Sequence, residues 1–234
     1  MHNGYRQMSS YLLINILVVA IPFVFSFERK VRFYRKLPSV AVSLLIVGTV
    51  YIVWDAVAAS RGDWAFNPDH VMAIRFFGLP VEEILFFITV PYACIFIYET
   101  LRSIFHDRVL KIPDIVFVIL PVPFIIAALS VPGQSYTQTV SLFTAAFFII
   151  SLWLYPALLR STIFWICIAI TFVPFFIVNY MLTSIPIVTY GADAFSGIRI
   201  TTIPLEDFFY SFSMLAFHIL VYRLVLNRWQ PHLQ

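Results

Sequence analysis

Ile74-Arg75 … Leu79-Pro80-Val81-Glu82-Glu83 and Ile198-Arg199 … Ile203-Pro204-Leu205-Glu206-Asp207 are two copies of one motif, 124 residues apart. Each copy opens a long apolar segment, so an acidic pair stands at the end of what reads as a membrane helix. Ionisable groups at such a place are costly. A costly feature repeated at one offset organises the reading of the whole chain.

The chain has 234 residues, 61% of them hydrophobic and 12% charged, with a mean hydropathy of +0.91. Soluble domains carry roughly a quarter charged residues. The composition is therefore that of an all-α polytopic membrane protein. A net charge of +3, scattered along the chain, gives no basis for nucleic-acid binding. Cys94 and Cys167 lie inside apolar runs and read as packing residues. No metal-ligand spacing, phosphate-binding glycine loop or dinucleotide fingerprint occurs, so no cofactor is expected.

Seven apolar runs approach the ~20 residues needed to cross the hydrocarbon core: about 9–27, 38–59, 80–99, 112–130, 136–155, 162–182 and 204–225. Pro22, Pro91, Pro121, Pro123 and Pro174 fall inside them, as membrane helices tolerate. The segments after the first, third and fifth runs, with the C-terminal tail, carry eleven Lys and Arg. The other side carries Arg6, Arg61, Arg75 and Arg199. The excess of cations on cytoplasmic loops then puts the N-terminus outside, the C-terminus inside and both acidic motifs near the outer face of a cytoplasmic membrane.

Sliding the chain by 124 aligns residues 51–99 with 175–223 without a gap, pairing Asp55 with Asn179 and Tyr98 with Tyr222. The expected architecture is seven transmembrane helices in two parallel three-helix repeats. Residues 1–110 form the first, 132–234 the second, and a connecting transmembrane helix at 111–131 joins them. An offset of four helices preserves direction across the membrane, and interfaces between such repeats are where membrane proteins build substrate sites.

Pro followed by carboxylates in the first turn is an ordinary helix start, because acidic side chains complement the positive helix end. That reading stands beside a functional one, in which carboxyl groups at an apolar boundary work as proton donor and acceptor. Adjacent helix residues point about 100° apart, so Glu82 and Glu83 cannot face one target. Identity between the copies favours the stripe of Glu82 and Glu206 over that of Glu83 and Asp207. Asp55 and Asn179 are intramembrane polar candidates or helix-end residues. Arg75 and Arg199 either pair with the carboxylates or anchor at the headgroups. His218 reads as a packed residue. Of the five tryptophans only Trp54, beside Asp55, suggests a site role; the rest suit interfacial belts.

The stretch Trp64 … Phe66-Asn67-Pro68 … Gly78-Leu79-Pro80-Val81-Glu82-Glu83 … Phe86-Phe87 … Pro91 … Tyr98-Glu99, with a second Pro-Leu-Glu-Asp copy, resembles the small, flavin-independent membrane lycopene cyclases in their fused form. The resemblance covers nearly the whole chain, although the second copy lacks the Asn-Pro and Gly-Leu-Pro context. It implies a lycopene β-cyclase that works by acid-initiated isomerisation of the ψ ends of lycopene, or of a related linear carotenoid, towards γ- and β-carotene. Glu82, Glu83, Glu206 and Asp207 would be catalytic. Asp55, Asn179, Arg75, Arg199, Asn67, Trp54, Phe86 and Tyr210 would support or bind substrate. The partners implied are the lipid bilayer and other carotenoid-pathway enzymes. A retinal protein would need a lysine within the bundle, and Lys30, Lys36 and Lys111 all lie outside the spans. A small transporter or a non-catalytic carotenoid-binding scaffold is the alternative.

Overall fold

The structure, a computed structural model, describes residues 9–230; Arg6 and the other terminal residues of the two repeats, 1–8 and 231–234, lie outside the described residues. Helix α1 (Ser10–Phe25) is capped by Ser9, whose Oγ accepts from the Leu12 amide at 3.0 Å. Helix α2 (Leu37–Arg61) continues from a 3-10 turn at Phe33–Lys36 and ends on Gly62, whose φ of 81° makes the left-handed cap. Strand β1 (Trp64–Phe66) and the hairpin β2 (Arg75–Phe76) and β3 (Leu79–Pro80) then feed α3 (Val81–Ile104).

The expected connector is two short helices, α4 (Asp114–Ile119) and α5 (Val122–Ser130), broken where Pro121 has no amide to donate. The second repeat reproduces the order of the first. Helices α6 (Ser135–Leu154), α7 (Pro156–Leu159) and α8 (Thr162–Ser184) precede β4 (Val188–Tyr190), β5 (Arg199–Ile200), β6 (Ile203–Pro204) and α9 (Leu205–Trp229).

Among the described residues, five helices are long and apolar enough to cross a membrane: Phe33–Arg61, Val81–Ile104, Ser135–Leu154, Thr162–Ser184 and Leu205–Trp229. Ser10–Phe25 and Asp114–Ser130 are apolar but shorter. Helix α1 packs along α3 and α6 along α9, whereas the middle helices cross over, α2 chiefly to α9 and α8 chiefly to α3. The two halves are interleaved rather than placed side by side. Cys94 and Cys167 are free thiols in the helical core.

The long linkers carry the clearest record of the duplication. Strands β1 and β4 form an antiparallel ribbon in which Trp64 faces Tyr190, Ala65 faces Thr189 and Phe66 faces Val188. The Asn67 amide donates to the Ile187 carbonyl and the Gly191 amide to the Asp63 carbonyl, both at 2.9 Å, so the ribbon is extended symmetrically. A Cβ at position 191 would stand 2.4 Å from the Gly62 carbonyl oxygen, which reserves that place for glycine.

The five-residue spacing from Arg to Pro is also explained. Arg75 pairs with Pro80 and Arg199 with Pro204 in two-residue hairpins whose turns start at positive φ, 52° at Phe77 and 60° at Thr201. Pro80 and Pro204 therefore stand just before their helices, in an extended conformation, rather than opening them.

Candidate active site

Each acidic pair divides between two environments. Glu82 and Glu206 are buried and tie the loop to the bundle. Glu82 Oε1 accepts from the Met72 amide at 2.7 Å and from the Ser9 hydroxyl. Glu206 Oε1 accepts from the Ser196 amide at 2.8 Å and from the Thr137 hydroxyl at 2.7 Å. Met72 and Ser196 are equivalent under the 124-residue offset, and in both glutamates Oε2 has no partner among the described residues. The two sites are built alike.

Glu83 and Asp207 point instead into a cavity of about 510 Å³ between the two halves, and neither Glu82 nor Glu206 lines it. Tyr11 donates to Glu83 Oε2 at 2.5 Å. Tyr136 donates to Asp207 Oδ1 at 2.6 Å and Tyr190 to Oδ2 at 2.7 Å. Burial, with the Asp207 carboxyl beside it, pushes the Tyr190 hydroxyl well above its usual value, so it stays a donor at every relevant pH. Asp55 is the third carboxyl of the cavity. Its Oδ1 accepts from Trp64 Nε1 at 2.6 Å and its Oδ2 is buried without a partner among the described residues.

The remaining lining is mostly apolar, with Thr171, Asn179 and Ser211 among it. Leu17, Ile21 and Pro22 of α1 face Pro174, Ile177 and Val178 of α8, while α3 contributes residues from Glu83 as far as Ile97. At a rise of 1.5 Å per residue the 14 steps from Glu83 to Ile97 span about 21 Å. The cavity is a long apolar slot with its three carboxyls gathered towards one end.

The symmetry that duplicates the motif is broken at the slot. Its counterpart, between α2 and α6, is filled by rings: Trp54 stacks on Phe143 with centroids 4.5 Å apart, and Tyr51 meets Phe143 at 5.2 Å and Tyr210 at 5.4 Å. One side of the dyad is void and the other is packed.

Several residues singled out in the sequence find other places. Trp54 does not line the slot: its indole belongs to that packing and its Nε1 has no partner among the described residues. Trp64, assigned to an interfacial belt, is the indole that holds Asp55. Arg75 and Arg199 are exposed and donate to the Gly78 and Thr202 carbonyls of their own hairpins, at 3.1 and 2.6 Å. Arg199 also lies 4.7 Å from the Phe195 ring centroid. Neither forms an ion pair with the motif carboxylates among the described residues. Asn67 caps a turn by accepting from the Asp69 amide, outside the slot. Asn179, Phe86 and Tyr210 do line it.

Tyr11, Tyr136 and Tyr190 are the site residues that sequence reasoning missed. Tyr11 and Tyr136 both sit in the first turns of their repeats, yet they stand 125 residues apart, one step out of the register that matches the motifs.

A family model described as lycopene cyclase matches residues 8–101 and again 134–225. The chain belongs to the lycopene cyclase family. The two matches are the two halves related by the ribbon, and the stretch between them holds α4 and α5, so the cyclase unit occurs twice in one chain. Among curated proteins and among solved structures, no match was found.

Proposed function

We propose that this cyclase is a lycopene β-cyclase that closes the ψ ends of lycopene by acid-initiated isomerisation. The observation that carries the reading is the gathering of Glu83, Asp207 and Asp55 in a mostly apolar slot between the repeats. A linear polyene suits the slot, and a proton donor with a separate acceptor suits the reaction.

In the proposed reaction a carboxylic acid adds its proton to the terminal double bond, leaving a tertiary carbocation. The neighbouring alkene attacks it, one carbon–carbon bond forms, and loss of a proton from the new ring gives the β end. Substrate and product are isomers, and the site ends with the protons it began with. Asp207 has both oxygens engaged by phenol donors, which suits an ionised carboxylate that stabilises the cation and accepts the proton. Glu83, engaged at Oε2 by Tyr11 among the described residues, keeps Oε1 for the substrate and is assigned as donor. Asp55 adds negative charge beside them. Tyr210 and Phe86, both in the lining, add π-electron density for the cation.

Within this reading, Glu82 and Glu206 position the reacting carboxyls. The shorter helices α1 and α4–α5 complete a seven-span bundle of repeats at 1–110 and 132–234 around the connector 111–131. The N-terminus lies outside, the C-terminus inside, and the site near the outer face of a cytoplasmic membrane. Expression of the chain alone in cells that accumulate lycopene tests the function. Ring-bearing carotenoid is the expected product. Unchanged lycopene beside folded, membrane-inserted protein would favour a carotenoid-binding scaffold or transporter.

A further inference from the structure

A second cavity, of about 150 Å³, opens at the end of the bundle away from the carboxyls. Arg223 of α9 lines it, about 24 Å along that helix from Asp207 at 1.5 Å per residue. Arg108 and Arg160 line it as well. Arg223 is only 8% exposed; its Nη2 donates to the Tyr155 hydroxyl at 3.3 Å and its Nη1 has no partner among the described residues. Among the described residues no carboxylate lies within ion-pair distance of it.

The acids nearby are already engaged. Glu99 is the counterpart of Arg223 in the first repeat, and it is held by Lys36 and by Arg102 at 3.0 Å. Asp107, on the cavity wall, accepts from the Ser161 hydroxyl at 2.6 Å and from the Ile163 amide at 3.1 Å, capping the start of α8. Arg160 pairs with Asp114. A buried guanidinium without an ion-pair partner in contact is expensive, and a buried charge of this kind calls for an opposite one.

We propose that this cavity binds a phosphate group, with Arg223 as its buried fork and Arg108 and Arg160 at its rim. The planar guanidinium suits two phosphate oxygens, and the Tyr98 and Tyr155 hydroxyls in the lining supply further donors. The group is either the phosphodiester of an anionic phospholipid headgroup or free inorganic phosphate. The position, at the end of an apolar bundle, is where headgroups and basic side chains meet.

The test uses the full chain in neutral detergent and reads its melting temperature with four additions: dioleoyl phosphatidylglycerol, dioleoylglycerol as the uncharged lipid, inorganic phosphate, and chloride at matched ionic strength. We expect a phosphate-bearing probe to raise Tm by about 3 °C or more over its control. The rise should vanish in Arg223→Gln and shrink in the exposed Arg108→Gln. A rise with phosphatidylglycerol alone identifies the headgroup, and an equal rise with inorganic phosphate identifies the free ion. If Arg223→Gln does not fold, Arg108→Gln and Arg160→Gln carry the comparison. The proposal is overturned if neither phosphate probe exceeds its control, or if the rise is the same in the wild type and the folded variants.

Discussion

Ala65 and Thr189 face each other across the β1–β4 ribbon, and they are equivalent residues of the two repeats, 124 positions apart. An antiparallel pair centred on equivalent residues puts the local dyad through that point. The hydrogen bonds from Asn67 and Gly191 to Ile187 and Asp63 obey the same relation. Trp64 and Tyr190, paired on this ribbon, reach the slot and hold Asp55 and Asp207. The duplication and the site therefore share a structural element.

Replacing either of the two reacting carboxyls, Glu83 or Asp207, should stop the reaction. Glu83→Gln and Asp207→Asn are each expected to lower ring formation by about 100-fold or more, the scale of a lost general acid or base. Product mass and absorption spectrum, with membrane insertion checked in parallel, measure it. Retention of half-cyclised product in both variants would point to two independent sites instead.

Glu82 and Glu206 should behave differently. Their alanine variants lose charge-assisted bonds to a loop amide and a hydroxyl, at about 1.5–3 kcal/mol per bond. The expected outcome is a lowered melting temperature in detergent. Glu82→Gln and Glu206→Gln, which keep an acceptor oxygen, should retain activity within about tenfold of wild type, or about 1.4 kcal/mol. Losses as severe as those at Glu83 would move the chemistry to the other stripe.

The two tryptophans separate cleanly. Trp64→Phe leaves the buried Asp55 without its donor, a penalty of about 1–3 kcal/mol. Trp54→Phe removes an indole N–H that has no partner and keeps an aromatic ring against Phe143. Activity and stability should fall in the first variant and change little in the second.

Ala93 lines the slot part-way along α3. Ala93→Phe should fill the slot and lower ring formation by at least about tenfold, while the carboxyls and the fold remain in place. Wild-type turnover in this variant, with an unchanged melting temperature, would show that the substrate runs elsewhere.

Much of this was legible in the sequence because polar matches are informative in an apolar chain. The paired motifs, the Asp55 and Asn179 equivalence and the two long linkers all emerge from one offset. What was not legible depended on how the halves meet. Glu82 and Glu206 are identical between copies, and the sequence does not show that each also accepts from a loop amide, of Met72 and of Ser196. The Arg-to-Pro spacing reads as a charge pairing until the hairpin register is known. Trp64 sits nine residues from Asp55 across a helix end and a turn, so adjacency pointed to Trp54 instead. Periodicity places a residue on a stripe. It does not say which neighbour from the other half covers that stripe.

The Trp54 and Phe143 stack has a kinetic meaning on the proposed reading. With one side of the dyad plugged and the other open, the enzyme would handle one polyene terminus per encounter. Two rings would then require two encounters, with a freely exchanging monocyclic species between them. Such an enzyme is distributive: its ratio of one-ring to two-ring product would follow enzyme concentration and time rather than a fixed stoichiometry.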